Sequence, residues 1–188
     1  MKLKTIILLM MLPVAVMAQD KSYRGDGIDD YLQYAPWAGV VALKVAGVDG
    51  ASNWKRFVVN AAASYVLMAG TSYTLKHTIH ERRPDGTDDR AFPSGHAAVS
   101  FAGAHVLHKE YGKVSPWISV GGYVVATATA IDRVARDRHH WYDVAAGAAI
   151  GVASAELGHW LSKKLFPNQS ACTVNISPMG LNVMLNIK

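Results

Sequence analysis

Long apolar blocks alternate with short polar segments along most of this chain. Five nearly uncharged blocks lie between the first thirty residues and the tail, and they cover residues 31–48, 57–75, 91–108, 114–131 and 144–161. Segments of about four to sixteen residues separate them, which suits helices that pack antiparallel to their neighbours. The pattern therefore predicts an all-α fold, an antiparallel bundle of about five to six helices.

The end of the chain has a different pattern. From Thr173 onward, apolar and polar side chains alternate on both sides of a Pro-Met-Gly turn at residues 178–180. This alternation is typical of a small hairpin or an edge strand. We therefore predict a strand-like tail over residues 166–188, which follows a helical-bundle domain over residues 19–165.

The N-terminus has the organisation of a secretory leader. Lys2 and Lys4 precede an uncharged apolar run over residues 5–16, and the small residue Ala18 follows shortly after it. Residues 1–18 are predicted to be a signal peptide that is cleaved after Ala18. The alternative is a signal anchor that is kept. Either form would place the residues that follow it outside the cytoplasm.

Composition narrows the class of protein. Apolar residues make up 51% of the 188 positions and charged residues only 18%, which favours a helical body buried in a membrane or in a tight core. The net charge of +5 is modest, and its basic residues lie near histidines. This favours a local anion site over a nucleic-acid interface. Cys172 is the only cysteine, so no intrachain disulfide can form. No sequence feature indicates an obligate protein partner.

Three polar clusters fall at the ends of the apolar blocks. They are Lys76 with Arg83-Pro84, then Pro93-Ser94-Gly95-His96, then Arg133 with His139 and Asp143. Taken singly, each has an ordinary explanation as a solvated helix end, a turn or a surface ion pair. Taken together, they fit one kind of chemistry.

That chemistry is the binding of a phosphate group. Lys76, Arg83 and Arg133 could surround a tetrahedral anion, and the arginines offer paired donors that match phosphate oxygens. Ser94 and Gly95 lie where a helix is predicted to begin. Free amides and the helix dipole at such a position favour a phosphate.

Two histidines could share the remaining work. A neutral imidazole can attack phosphorus while a second one protonates the departing oxygen. If the chain is helical from residue 139, Asp143 lies one turn beyond His139 and can accept its ring N–H. That contact would fix the tautomer of the ring and stabilise charge on it.

The complete pattern resembles the three-part signature of the type 2 phosphatidic acid phosphatases. The chain reads Lys76-x6-Arg83-Pro84, then Pro93-Ser94-Gly95-His96, then Arg133-x5-His139-x3-Asp143. The same superfamily holds the bacterial class A acid phosphatases and the vanadium-dependent haloperoxidases, and we expect the resemblance to extend over residues 31–165. One position departs from the family pattern. This chain has Asp132 where the family usually has serine, which raises a question about phosphate affinity or substrate choice.

The resemblance implies a role for each motif residue. His139 would be the nucleophile that forms a phosphohistidine, and Asp143 would orient it. His96 would be the general acid for the leaving group and then the base for water. The phosphate-binding residues would be Lys76, Arg83, Arg133, Ser94 and Gly95. The family needs neither a metal nor another cofactor, so none is expected.

A secretory leader and the number of blocks predict on which side of a membrane the clusters lie. If the four blocks before Asp132 cross a bilayer in turn, all three clusters emerge outside the cytoplasm. Basic residues then fall on the cytoplasmic side, in agreement with the positive-inside rule; they are Lys55, Arg56, Lys109, Lys113, Lys163 and Lys164. We expect a bacterial inner-membrane protein with a periplasm-facing site. A soluble periplasmic bundle is the alternative, because Lys44 and Glu156 interrupt two of the blocks.

The short segment between Pro84 and Pro93 favours a lipid substrate. About eight residues leave little material for a lid over a soluble substrate, and a site at membrane level admits an amphiphile from the side. The resemblance implies four candidate substrates: the phosphates of lipid A, undecaprenyl pyrophosphate, phosphatidylglycerol phosphate and phosphatidic acid. The alternatives are a soluble periplasmic non-specific acid phosphatase, a vanadium-dependent haloperoxidase and a non-catalytic phospholipid-binding membrane protein.

Overall fold

Helices make up most of the chain that the computed structural model describes, which is residues 27–167, 173–177 and 180–184. The six helices of this part are α1 (Asp29–Leu32), α2 (Ala35–Val45), α3 (Trp54–Thr78), α4 (Gly95–Tyr111), α5 (Pro116–Ala135) and α6 (Trp141–Leu165). The predicted all-α bundle is confirmed. The predicted leader over residues 1–18 lies outside the described residues.

The first apolar block forms two helices, although the sequence pattern predicts one. Pro36 lies in the first turn of α2, where its missing amide hydrogen leaves no helical bond unmade. Within residues 31–48 the chain therefore leaves α1 after Leu32 and starts a new helix at Ala35. This break separates α1, which carries Asp29 and Asp30, from the longer helix α2.

Helix α4 is the centre of the bundle. It packs against α2, α3, α5 and α6, and α6 also packs along α3. Glycines on α6 allow these helices to approach closely. A Cβ added to Gly151 would lie 2.8 Å from the amide nitrogen of Ala102 on α4, and one added to Gly158 would lie 2.7 Å from that of Ser64 on α3.

Lys44, which interrupts the first apolar block, is paired inside the bundle. Its Nζ lies 3.4 Å from Oε2 of Glu110 on α4 and donates a hydrogen bond to the carbonyl of Ser52. Glu110 also accepts from the Ser52 hydroxyl at 2.6 Å. Burial of a charge is tolerated here because each charged group has a partner.

The described part of the tail forms a two-stranded antiparallel hairpin. Strand β1 (Thr173–Ser177) pairs with β2 (Gly180–Met184), and Thr173 lies opposite Met184 in the register. Strand pairs of this kind follow from the alternating pattern of the sequence.

One described helix, α6, is long and apolar enough to cross a membrane by its length and composition.

Candidate active site

Three chain segments meet at one end of the bundle. The loop between α3 and α4 is tied to the connection between α5 and α6, because Asp85 N donates to the Asp137 carbonyl at 3.1 Å and Arg138 Nη1 donates to Asp85 Oδ2 at 2.9 Å. The start of α4 is tied to the first turn of α6, because Ser94 N donates to the Asp143 carbonyl at 3.0 Å. These bonds bring the three predicted clusters together.

His139 is buried where these segments meet, and its contacts define its tautomer. Arg83 Nη1 lies 3.2 Å from His139 Nε2. A guanidinium can only donate, so Nε2 accepts this bond and carries the free electron pair of a neutral ring. The ring proton then lies on Nδ1, which is 3.5 Å from Oδ2 of the buried Asp143. This separation is longer than that of a good hydrogen bond, and catalytic contacts of this kind often tighten only when a substrate is bound.

The surroundings of His139 keep its ring neutral. Burial lowers the pKa of His139 to about 4, against the opposing effect of Asp143, and the positive charges of Arg83, Lys76 and Arg133 lower this pKa further. The imidazole therefore keeps its electron pair available over most of the pH range in which proteins work.

Asp143 faces His139 although the chain is not yet helical at residue 139. Helix α6 begins at Trp141, and His140 is its N-cap. The Asp143 carboxylate accepts a hydrogen bond from His140 N at 2.8 Å, so it caps the helix as well as facing His139. The cap bends the chain just before the helix and leaves His139 in the connection between α5 and α6.

Arg83 is held rigidly beside His139. Its Nε donates to Asp88 Oδ1 at 2.8 Å, and its Nη1 also donates to the Arg138 carbonyl at 3.1 Å. The side chain is only 12% exposed. Because the guanidinium is planar, anchoring one edge fixes the direction of its other donors.

Lys76 lies beside the start of α4. It occupies the last turn of α3, and its Nζ donates to the Arg90 carbonyl at 2.8 Å. A Cβ added to Gly95 would lie 3.9 Å from Lys76 Cε, which puts the lysine next to the α4 N-terminus. Burial and the neighbouring Arg83 lower the pKa of Lys76 to about 8.

Arg133, the third predicted cation, is buried and is bound to a carboxylate that sequence reasoning missed. Its Nη1 donates to Asp29 Oδ2 at 2.5 Å, and Arg136 Nη1 donates to Asp29 Oδ1 at 2.6 Å. Burial raises the pKa of Asp29, but the neighbouring Arg133 guanidinium lowers this pKa by more. The pKa of Asp29 therefore lies below its usual value. The buried Asp29 thus ties α1 to the last turn of α5.

Ser94 and His96 lie at the start of α4. Ser94 is fully buried and is the N-cap of the helix, with its hydroxyl 3.5 Å from Ala97 N. His96 turns toward α1, where its Nε2 lies 2.9 Å from Asp30 Oδ1 and 3.8 Å from Asp29 Oδ2. The helix start predicted at Pro93-Ser94-Gly95 is therefore found in the structure, and Asp29 and Asp30 join the predicted residues.

The sequence profile of the PAP2 superfamily matches residues 57–167 of this chain. The chain belongs to the PAP2 superfamily. A lipid A 1-phosphatase from Porphyromonas gingivalis is 41% identical over 162 residues, which are 86% of this chain and 34% of that protein. The chain thus spans about a third of the length of this relative.

The fold of this PAP2-superfamily protein is also similar to a solved structure. The crystal structure of Aquifex aeolicus LpxE superposes with a TM-score of 0.53 at 20% sequence identity. The match covers 81% of this chain and 93% of the solved one. This likeness concerns the helical architecture.

Asp132, which stands where the resemblance led us to expect a serine, lies beside Asp29 and Arg136 in this PAP2-superfamily protein. Its Oδ2 is 3.8 Å from Nη1 of Arg136, which follows the last residue of α5. Burial and the neighbouring Asp29 carboxyl raise the pKa of Asp132 above its usual value. The departure therefore coincides with the ion-pair cluster that anchors α1.

Two groups of described side chains have the composition and spacing to hold a cation. They are Asp29 with Asp30 and His96, and Glu81 with His140 and Asp143; in each, the ligand atoms lie within 4.8 Å of one another. Asp29 already binds two arginines, and Asp143 already accepts from His140 N. Both carboxylates therefore have protein partners of their own.

No spacing rule pointed to Asp29 and Asp30. They lie in a Gly-Ile-Asp-Asp stretch that has the composition of an ordinary polar turn. Their partners Arg133 and His96 are 104 and 66 residues away in the chain. The only sequence signal was a pair of acidic residues directly before an apolar block.

Proposed function

We propose that this protein is a metal-independent phosphatase that removes phosphate from a membrane lipid through a phosphohistidine on His139. The proposal rests on His139, which is buried and neutral and whose Nε2 faces Arg83. Burial lowers the pKa of His139, and the positive charges of Lys76 and Arg133 lower it further. A relative that is a lipid A 1-phosphatase supports a phosphorylated lipid as the substrate and makes lipid A the first candidate.

In the first step, the electron pair on His139 Nε2 attacks phosphorus and forms the N–P bond. The bond between phosphorus and the lipid oxygen breaks, and that oxygen takes a proton from His96. Asp143 faces Nδ1 of the attacking ring, so it stabilises the positive charge that the ring gains. The products of this step are the dephosphorylated lipid and a phosphorylated His139.

In the second step, His96 takes a proton from water, and the oxygen of that water attacks phosphorus. The N–P bond breaks and its electron pair returns to His139 Nε2. Inorganic phosphate leaves, and both histidines return to their starting protonation states. One residue serves as the acid and then as the base, as microscopic reversibility allows.

The cations supply the electrostatic stabilisation. Lys76, Arg83 and Arg133 would bind the non-bridging oxygens, where charge accumulates in the transition state, and the α4 N-terminus at Ser94 and Gly95 would add backbone donors. Side chains therefore provide the positive charge that a metal ion provides in other phosphatases. Removal of one such donor typically lowers kcat by about 100-fold to 1,000-fold.

We further propose that the site faces the periplasm at the surface of the bacterial inner membrane. The leader-like N-terminus, the basic residues at the opposite ends of the blocks and the apolar helix α6 support this location. A soluble periplasmic acid phosphatase remains the second candidate, because Lys44 interrupts the first block and is paired within the bundle.

The direct test is release of inorganic phosphate by the purified protein in detergent. The panel comprises lipid A, undecaprenyl pyrophosphate, phosphatidylglycerol phosphate, phosphatidic acid and the soluble ester p-nitrophenyl phosphate. We expect the fastest release from lipid A, and no release by the folded variant His139→Ala. The exposed His80 provides a matched control, and His80→Ala should keep normal turnover.

Three outcomes would contradict the proposal. Release from p-nitrophenyl phosphate alone would favour the soluble acid phosphatase. Halide oxidation in the presence of vanadate and peroxide would favour a haloperoxidase. Binding of lipids without any phosphate release would favour a non-catalytic protein.

A further inference from the structure

We propose that Asp30 is a positioning residue of the active site, which holds the His96 imidazole and favours its protonated form so that His96 can protonate the departing lipid oxygen. The inference rests on the proposed function, because it assigns a partner to the acid of that reaction. Asp30 belongs to none of the three sequence motifs, and it lies outside the residues 57–167 that match the superfamily profile.

The contact between Asp30 and His96 is direct and lies at the edge of the site. Oδ1 of Asp30 is 2.9 Å from His96 Nε2. The side chains of His96 and Asp30 are 20% and 24% exposed, so the pair is sheltered but within reach of solvent. An acid that must later take a proton from water needs this kind of position.

Asp29 holds α1 in the place where Asp30 meets His96. It is fully buried, and its two oxygens bind Arg133 in the last turn of α5 and Arg136 directly after that helix. Because Asp30 is its neighbour in a four-residue helix, the position of the Asp30 backbone follows from this anchor. Gln33 Nε2 also donates to the Asp30 carbonyl at 3.0 Å. Asp29 and Asp30 therefore have different tasks.

The charges around His96 make Asp30 the carboxylate that favours its protonation. Asp29 and Asp30 face the ring from α1, and Arg133 on α5 opposes them. The charge of Asp29 is already shared between two arginines and is farther from the ring, at 3.8 Å. Burial and Arg133 lower the pKa of His96 to about 4, whereas the Asp30 contact raises it. Without Asp30, the ring would release its proton at still lower pH.

The site then contains two pairs of histidine and carboxylate with different functions. His139 has a cation against Nε2, so that nitrogen stays unprotonated and can attack. His96 has a carboxylate against Nε2, so the N–H at this position donates to Asp30 in the imidazolium form. Its other nitrogen, Nδ1, carries the proton that is transferred to the lipid oxygen and later recovered from water.

The first test is the pH dependence of kcat with the best lipid substrate. His96 must be protonated in the enzyme–substrate complex, so kcat falls as pH rises through its pKa. Asp30→Asn keeps the shape of the side chain but removes its charge, and this should lower the pKa of His96. We expect the alkaline limb to move to lower pH, with kcat reduced by about 10-fold to 100-fold near neutral pH. Asp30→Glu should restore part of the loss.

A second readout uses the leaving group. The p-nitrophenolate ion leaves without needing a proton, whereas the second step, in which His96 takes a proton from water, is common to both substrates. Asp30→Asn should therefore slow the turnover of p-nitrophenyl phosphate less than that of the lipid phosphate. A purely structural defect would slow both substrates equally.

A third readout needs no turnover at all. In protein labelled with 13C-histidine, NMR titration should show His96 losing its proton at lower pH in Asp30→Asn than in the wild type. If the wild-type protein releases no phosphate from any lipid, the proposed function is wrong. The titration would still test the contact between Asp30 and His96.

The same helix provides a matched control. His105 on α4 has a carboxylate partner at the other end of the bundle, because its Nε2 lies 2.8 Å from Glu156 Oε1. Glu156→Gln should leave both the pH profile of kcat and the titration of His96 unchanged. An unchanged His96 titration in Asp30→Asn, an unchanged alkaline limb, or faster lipid turnover by that variant would overturn the inference.

Discussion

At the scale of single residues, burial and neighbouring positive charges act together on the candidate site. Burial and the charge of Arg83 lower the pKa of Lys76, and burial together with the charges of Arg83, Lys76 and Arg133 lowers the pKa of His139. In the proposed mechanism, a bound phosphate dianion would relieve the repulsion between these cations. Lowered pKa values of this kind are typical of functional sites.

Lys76 should make anion binding depend on pH. It is charged below its pKa of about 8 and neutral above it, so its attraction for an anion is lost as pH rises through that value. Sulfate is a suitable probe because its own charge is constant in this range. We expect sulfate affinity, measured by calorimetry, to fall about tenfold between about pH 7 and pH 9.

Lys76→Arg provides the comparison, because a guanidinium stays charged throughout this range. The variant should bind sulfate with an affinity that changes little over the same interval. An equal fall in both proteins would show that another group is responsible for the pH dependence.

At the scale of elements, close packing of α4 against α6 brings the helix starts together. Gly147 lies near Ser94 and Ala97, and Gly151 lies near Ala98 and Ala102. With no Cβ at these glycines, the two backbones approach closely at the end of the bundle that holds the site. The hydrogen bond from Ser94 N to the Asp143 carbonyl depends on this approach.

Replacement of glycine by alanine should have opposite effects on stability at Gly151 and at Gly121. Gly151→Ala would place a Cβ 2.8 Å from Ala102 N, so we expect a lower melting temperature and a loss of about 1–3 kcal/mol. Gly121 lies in α5, and an added Cβ would meet nothing within 4 Å. Gly121→Ala should therefore raise stability by up to about 1 kcal/mol, through helix propensity.

Thermal unfolding in detergent, followed by circular dichroism, measures both variants. Equal destabilisation by the two substitutions would mean that the close approach of α4 and α6 does not contribute to the stability of the fold. We also expect Gly151→Ala to lower phosphate release, because it moves the start of α6 away from Ser94.

The sequence predicted the long elements better than their junctions. Uncharged blocks of helical length became α3, α4, α5 and α6, because each block had to bury an apolar surface. The break at Pro36 and the start of α6 after His139 depend on local hydrogen bonds. The spacing of apolar residues along the chain does not reveal such bonds. The three motifs could be recognised in the sequence because the spacing of their residues is specific. Asp29 and Asp30 were missed because their partners are remote in the chain.

At the scale of the whole molecule, the described helices expose many large apolar side chains. Large side chains on α5 and α6 are more than half exposed, among them Trp117, Val124, Ile131, Leu157 and Trp160. A group of exposed apolar side chains like this one is typical of a surface that contacts lipid or another protein. Tryptophans near helix ends are also favoured at membrane interfaces.

This surface predicts how the protein will fractionate. We expect it to stay with the membranes after an alkaline carbonate wash and to enter solution only with detergent. Recovery in a detergent-free periplasmic extract would contradict the membrane location and favour the soluble alternative. The measurement does not depend on which lipid is the substrate.

The most direct test of the mechanism is to trap the phosphorylated protein. Protein mixed with lipid A that carries 32P in its 1-phosphate, then quenched rapidly in alkaline denaturant, should hold a label that is stable to base and labile to acid. Mass spectrometry should locate the phosphate on His139, and His139→Asn should take up none. A label on another residue, or labelled phosphate released while no labelled protein forms, would contradict the account.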